Sequence, residues 1–104
     1  MEPLSFKWIA QVSDGELVSG SPDRECVRFC TDSRRIRPGD AFMAIRGERL
    51  DGHSFLGEIA ERGCLLAIVD SKSKERLPAG VGCVQVADTR QAFGKIAADR
   101  KSVV

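Results

Sequence analysis

Ala41-Phe42-Met43-Ala44-Ile45, then Arg46-Gly47-Glu48-Arg49-Leu50-Asp51-Gly52, then His53-Ser54-Phe55-Leu56-Gly57-Glu58-Ile59-Ala60-Glu61-Arg62-Gly63, then Cys64-Leu65-Leu66-Ala67-Ile68-Val69: these consecutive segments decide the fold. The first is an uninterrupted apolar run bounded by Gly39 and Gly47, the signature of a strand covered on both faces. From His53 or Ser54 onward, Phe55, Leu56, Ile59 and Ala60 fall at helical spacing, and Gly63 supplies a C-terminal stop. Leu65 to Val69 is a second buried strand. Strand, helix, strand predicts a right-handed parallel crossover. The fold class expected is therefore α/β: a single small domain with a mixed β-sheet, a parallel βαβ crossover and flanking helices.

Working outward, Ser5 precedes Phe6, Ile9, Ala10 and Val12, the spacing of a short helix with one apolar face, which Asp14-Gly15 should end. Glu16 to Ser19 reads as a brief strand, and Gly20-Ser21-Pro22-Asp23 as a turn cluster. Val27, Phe29 and Thr31 alternate with Cys26, Arg28 and Cys30, predicting one strand that delivers Asp32, Ser33 and Arg34 at its end. Ser71 to Gly82 is polar and reads as a surface connection. Cys83 to Ala87 is a further strand, after which Asp88 or Thr89 caps a last helix presenting Ala92, Phe93, Ile96 and Ala97 on one face.

A chain of 104 residues is one small domain, able to bury roughly 65% of the surface of its unfolded chain and so to fold alone. Its 42% hydrophobic and 30% charged residues belong to an ordinary globular chain and exclude a disordered one. The formal charge of +1 supplies no global attraction to nucleic acid or anionic membrane, so anion binding must be local. Basic residues are not interleaved with exposed aromatics, which argues against RNA. No secretory signal and no membrane-spanning run is visible, and a cytoplasmic protein is expected. Cys26, Cys30, Cys64 and Cys83 lie in apolar runs without C-x-x-C spacing and are expected to be reduced, small buried hydrophobes.

Chemistry concentrates in the loops. Thr31-Asp32-Ser33-Arg34 and Arg46-Gly47-Glu48-Arg49-Leu50-Asp51-Gly52-His53 each follow a strand and gather hydroxyls, carboxylates, guanidinium groups and glycines. Ser33 can donate to a phosphate or sugar oxygen, and Arg34 or Arg49 can supply charge and a planar fork. Asp51 can orient its loop or hold a ribose hydroxyl. Gly47 and Gly52 permit close backbone approach. Each feature also has a structural reading: Asp32-Ser33 as an Asx-type turn, Asp40 after Pro38-Gly39 as a turn residue, His53 as a capping or packing group, and Arg35 and Arg37 as solvated cations.

In order and spacing these pieces resemble the N-terminal domain of the Mur ligases, the ATP-dependent enzymes that build the peptide stem of peptidoglycan. The resemblance rests on Thr31-Asp32-Ser33-Arg34, Pro38-Gly39-Asp40-Ala41-Phe42, Gly47-Glu48-Arg49-Leu50-Asp51-Gly52-His53-Ser54-Phe55, and Val86-Ala87-Asp88-Thr89-Arg90-Gln91-Ala92-Phe93-Gly94, and covers nearly the whole chain. Gly-Glu-Arg followed by Asp-Gly-His is most similar to the MurF branch, which adds D-alanyl-D-alanine; the MurE branch shares much of the pattern. The resemblance implies that residues 1–104 form one substrate-binding domain. Thr31, Asp32, Ser33, Arg34, Arg46, Gly47, Glu48, Arg49, Asp51, Gly52 and His53 would line the site for the UDP end of a UDP-N-acetylmuramoyl-peptide. ATP and Mg²⁺ would belong to a central domain, which with a C-terminal domain lies outside this sequence.

Absences agree with that division. No G-x-x-x-x-G-K-[ST] exists, because Gly94-Lys95 is followed by Ile96 and position 89 is Thr. Gly80-Val81-Gly82 precedes a strand and opens no helix. No catalytic residue, metal or cofactor is expected in these residues, and the chain alone is not expected to be active. The rival from another class is a non-enzymatic binding module that keeps the same fold.

Overall fold

A computed structural model describes residues 3–45, 51–73 and 77–101. In chain order the elements are β1 (Leu4–Ser5), α1 (Phe6–Val12), β2 (Glu16–Ser19), β3 (Glu25–Cys26), β4 (Arg28–Cys30), β5 (Asp40–Met43), α2 (Leu56–Glu61), β6 (Leu66–Asp70), β7 (Gly82–Val86) and α3 (Thr89–Lys101). Single 3₁₀ turns occupy Ser33–Arg35 and Gly52–Phe55. The main sheet has the order β2-β7-β6-β5-β4, with β4 to β7 mutually parallel and β2 antiparallel on the β7 edge. β1 and β3 form a separate antiparallel pair. The expected mixed sheet and parallel β5-α2-β6 crossover are both present.

Period-two alternation divides the core into two layers. Ala41, Met43, Leu66, Ile68, Val84 and Val86 face α1 and α3, where they meet Phe6, Ile9, Ala10, Ala92 and Ile96. Phe42, Ala44, Ala67, Val69 and Cys83 face the other way and pack with Leu56 and Ile59 of α2 and with Ile36. Every residue of β5 is buried, as its unbroken apolar run requires.

Local signals set the ends of the helices. The Ser5 hydroxyl caps α1 by accepting the Trp8 N–H at 3.0 Å, and the Asp88 carboxylate accepts Arg90 N–H at 2.8 Å at the start of α3. Gly63, at φ +87°, ends α2, with Cys64 N–H bonded to Ile59 O at 3.1 Å, the reverse-turn closure that only a residue free of a Cβ enters at low cost.

Three expectations need correction. The predicted strand from Cys26 to Thr31 is broken at Val27: β3 pairs with β1, while β4 pairs with β5. Val27 N–H turns to Gly39 O at 3.1 Å, and its side chain is exposed. The helix expected from His53 or Ser54 starts at Leu56, after the 3₁₀ turn. On α3, Thr89, Ala92 and Ile96 are buried, whereas Phe93 and Ala97 face outward. The i, i+3, i+7 stripe is narrower than the apolar composition suggested.

All four cysteines are free thiols, and Cys26, Cys64 and Cys83 are buried. Burial pushes the Cys26 thiol up to about 12 and those of Cys64 and Cys83 to about 11. Among the described residues, no helix is long and apolar enough to cross a membrane.

Candidate functional site

The C-terminal ends of β4 and β5 lie side by side, and the segments leaving them enclose a cleft of about 490 Å³. One wall is Thr31, Asp32, Ser33 and Arg34; the other is Ile45, Gly52, Phe55 and Glu58. Ligands of open α/β sheets sit beyond the carboxyl ends of the strands in this way.

The first wall is a turn closed by its own side chains. Asp32 Oδ1 accepts Arg34 N–H at 2.9 Å, and Asp32 O accepts Arg35 N–H at 3.0 Å. The Arg34 guanidinium folds back onto the same carboxylate, with Nε and Nη2 each 3.1 Å from Asp32 oxygens. The Arg34 side chain and backbone N–H hold the Asp32 carboxyl below the ordinary value of 3.8, while Asp32 raises the pKa of Arg34. Ser33 is buried within the turn. Thus Asp32 forms the Asx-type turn and holds the Arg34 guanidinium by two of its five N–H donors.

Behind that wall stands Asp40. The turn between Arg37 and Asp40 is real, with Asp40 N–H donating to Arg37 O at 3.1 Å. Yet Asp40 is more than the turn residue expected, for it is also the first residue of β5 and only 2% exposed. Its carboxylate accepts Arg28 Nη2 at 2.7 Å, Arg28 Nε at 3.2 Å and Arg37 N–H at 2.9 Å. Arg28 Nη2 also donates to Arg35 O at 2.8 Å. Arg28 therefore ties the end of the Ser33–Arg35 turn to the sheet, and its hydrogen bond to the Asp40 carboxylate raises the pKa of the guanidinium.

The second wall is fixed by backbone contact. Gly52 N–H donates to Ile45 O at 2.9 Å. A Cβ on Gly52 would lie 2.9 Å from Ile45 N and 3.1 Å from Ala44 Cα, so this position demands glycine for close approach. Asp51 caps the following turn by accepting His53 N–H at 3.0 Å. Glu58, in the first turn of α2, pairs with Arg62 at 3.4 Å.

Of the expected site residues, Thr31, Asp32, Ser33, Arg34 and Gly52 line one cleft. Asp51 stands beside it with its carboxylate committed to the turn. His53 departs from the ligand-contacting role expected of it: its side chain is 0% exposed, and both ring nitrogens are bonded inside the protein, to Asp51 and to Asp70 N–H. Arg46, Gly47, Glu48 and Arg49 lie outside the described residues. Sequence reasoning missed Ile45, Phe55 and Glu58. Ile45 and Phe55 read as core positions by periodicity, and only the position of the 3₁₀ turn before α2 reveals that Phe55 reaches the cleft. Arg35 lies within 3.9 Å of Asp32, outside the lining set.

The cleft combines hydroxyls, backbone and one guanidinium with the apolar Ile45 and Phe55. Its described ionic side chains are two carboxylates and one cation. That suits a ligand with both an apolar ring face and hydrogen-bonding edges. Neither glycine-containing segment weighed from the sequence forms a phosphate loop: Gly94-Lys95-Ile96 lies inside α3 and Gly80-Val81-Gly82 leads into β7. No group of three His, Cys, Asp or Glu side chains that could hold a metal occurs among the described residues.

Comparison with known proteins places the chain among its relatives. The pattern of the family described as Mur ligase family, catalytic domain, matches residues 28–101. The chain belongs to the Mur ligase family. A UDP-N-acetylmuramoyl-tripeptide-D-alanyl-D-alanine ligase from Synechocystis sp. is 40% identical over 78 residues, covering 75% of this chain and 17% of that protein. A UDP-N-acetylmuramoyl-L-alanyl-D-glutamate-2,6-diaminopimelate ligase from Cytophaga hutchinsonii is 33% identical over 82 residues, covering 79% of this chain and 17% of that protein. The crystal structure of MurF from Acinetobacter baumannii superposes with a TM-score of 0.84 at 36% identity, over 98% of this chain and 22% of that one. The Mur ligase chain described here thus spans about a fifth of the length of these relatives.

Proposed function

We propose that this chain is the domain that grips the UDP end of a UDP-N-acetylmuramoyl-peptide in a MurF-like ligase of peptidoglycan synthesis. The observation that carries the reading is the cleft beyond β4 and β5, where Thr31 to Arg34 meet Gly52 and Phe55. In the whole enzyme the peptide's terminal carboxylate would be activated by ATP as an acyl phosphate. The amine of the incoming residue would then displace phosphate and form the peptide bond. Among the described residues there is neither a Lys-bearing phosphate loop nor an assembled metal donor set, and ATP and Mg²⁺ are assigned in this reading to the rest of the ligase. The contribution of this chain is remote binding, which orients the reacting end of a long substrate.

The match to MurF from Acinetobacter baumannii across 98% of the chain supports the MurF branch. A MurE-like alternative is favoured by relatives such as the Cytophaga hutchinsonii and Geobacter sulfurreducens diaminopimelate ligases. The test of binding is an NMR titration of the chain with UDP-N-acetylmuramic acid. Amides of residues 31–34 and 51–55 should shift while those of residues 77–81 stay still; shifts confined to residues 77–81 would refute the site. Assigning the branch requires the ligase that carries this domain, supplied separately with D-alanyl-D-alanine and with diaminopimelate; incorporation of diaminopimelate alone would overturn the MurF assignment.

A further inference from the structure

His53 is the only histidine of the chain, and its position is unusual for a group with two polar atoms. The side chain is 0% exposed. Nε2 lies 2.9 Å from the backbone nitrogen of Asp70, the last residue of β6. A backbone N–H can only donate, so Nε2 must hold a lone pair and the ring proton must sit on Nδ1. Nδ1 lies 2.6 Å from Asp51 Oδ1 and donates to it. The same Asp51 oxygen accepts His53 N–H at 3.0 Å. One ring thus fastens the segment beginning at Asp51 to the end of β6, while Gly52 N–H fastens it to Ile45 beyond β5.

We infer that His53 is the positioning residue of the cleft: held as the Nδ1–H tautomer, it sets the Gly52–Phe55 wall against the sheet without touching the ligand. The inference rests on the cleft being the nucleotide site. An aliphatic side chain would fill the same volume, but it would leave Asp70 N–H without its acceptor and Asp51 without its ring donor. Burying an imidazole is less favourable than burying an aliphatic side chain unless both nitrogens are bonded. Here both are. Fixing the wall explains the placement of a polar ring where packing alone asks for none.

Three substitutions separate the parts. In His53→Gln the side-chain carbonyl reaches the Nε2 position and keeps the bond to Asp70 N–H. In His53→Asn the amide nitrogen occupies the Nδ1 position and keeps the bond to Asp51. His53→Leu keeps the volume and neither bond. The 104-residue chain, labelled with ¹⁵N, is examined by long-range ¹H–¹⁵N correlation and titrated with UDP-N-acetylmuramic acid.

Wild type should show a protonated Nδ1 and an unprotonated Nε2 at neutral pH. His53→Leu should bind roughly tenfold more weakly, the effect of one or two lost hydrogen bonds on the wall, and each single-bond variant should recover part of the loss. An Nε2–H tautomer, or a folded His53→Leu protein with wild-type affinity, overturns the inference. Should His53→Leu fail to fold, wild-type affinity in both Gln and Asn variants overturns it equally. Absence of binding by wild type itself would instead refute the nucleotide reading. The amides of Gly52 and Phe55 then decide the positioning role, which is overturned if all three substitutions leave them unshifted.

Discussion

Raising the pH should destabilise this protein through its buried thiols. Cys26, Cys64 and Cys83 are at most 4% exposed, and burial lifts them from 9.0 to about 12, 11 and 11. A thiol is neutral when protonated, so a raised native value means that the folded state holds its proton more tightly than the unfolded chain. Stability is therefore complete below about pH 9 and declines as pH rises from there toward the native values. At pH 10 an unfolded thiol of pKa 9.0 has gained about 1.4 kcal/mol from ionising, while the buried native thiols have gained almost nothing. The three together remove up to about 4 kcal/mol, a large part of the roughly 5–15 kcal/mol that holds a domain folded. With no tyrosine in the sequence, no phenol titrates in the same range. The assay is urea unfolding under reducing conditions, followed by Trp8 fluorescence between pH 8 and 10.5. The loss should be smaller by about a third in Cys83→Ala, because one of three comparable contributions is gone. A stability that stays flat to pH 10.5, or an unchanged slope in the variant, would refute the reasoning.

Three further outcomes follow from the packing of the chain. A methyl added at Gly94, inside α3, would meet nothing within 4 Å, so Gly94→Ala should stabilise by about 0.5–1 kcal/mol; Gly82→Ala, which would place a methyl 2.7 Å from the Phe6 ring, should cost about 1–3 kcal/mol in the same urea assay. Ile96→Ala should cost about 2–5 kcal/mol, whereas Phe93→Ala on the exposed side should leave thermal unfolding almost unchanged, and equal losses would refute the narrow buried stripe. The Asp32 carboxyl should titrate below 3.8 by ¹³C NMR; the Asp32–Arg34 pair is then intact above that value and lost as pH falls through the lowered native one, and an ordinary titration in the wild type would show that the pair is absent in solution.

The strands were legible because their signal is local. Ala41 to Ile45 and Leu65 to Val69 are continuous apolar runs with glycine nearby, and no partner need be known to read them. The break at Val27 was not legible, since it arises where one segment leaves β1 and joins β5, and alternation continues across it. α3 was read too broadly for a related reason: Phe93 is apolar, but only the crossing of the helix over the sheet selects Thr89, Ala92 and Ile96. At the site, the Asp32 turn could be read from short-range chemistry. The ring of His53 could not be placed, because its second partner, Asp70, is seventeen positions away. Asp40 was hidden by Pro38-Gly39, which announce a turn so strongly that the strand beginning at the same residue goes unseen.

The strand order carries a consequence for how the chain assembles. β4, β5, β6 and β7 are neighbours in the sheet in the same sequence in which they are synthesised, so each can dock on the one before it as it emerges. β2 breaks that progression. Glu16 must find Gln85 and Leu17 must find Val84, and α1 packs with α3. The earliest part of the chain therefore waits for the latest, and closing that long loop is a slow, non-local step. Until it is taken, the β7 edge has no partner and α1 lacks its contacts with α3, which makes the nascent domain most vulnerable to association through this edge just before it is complete.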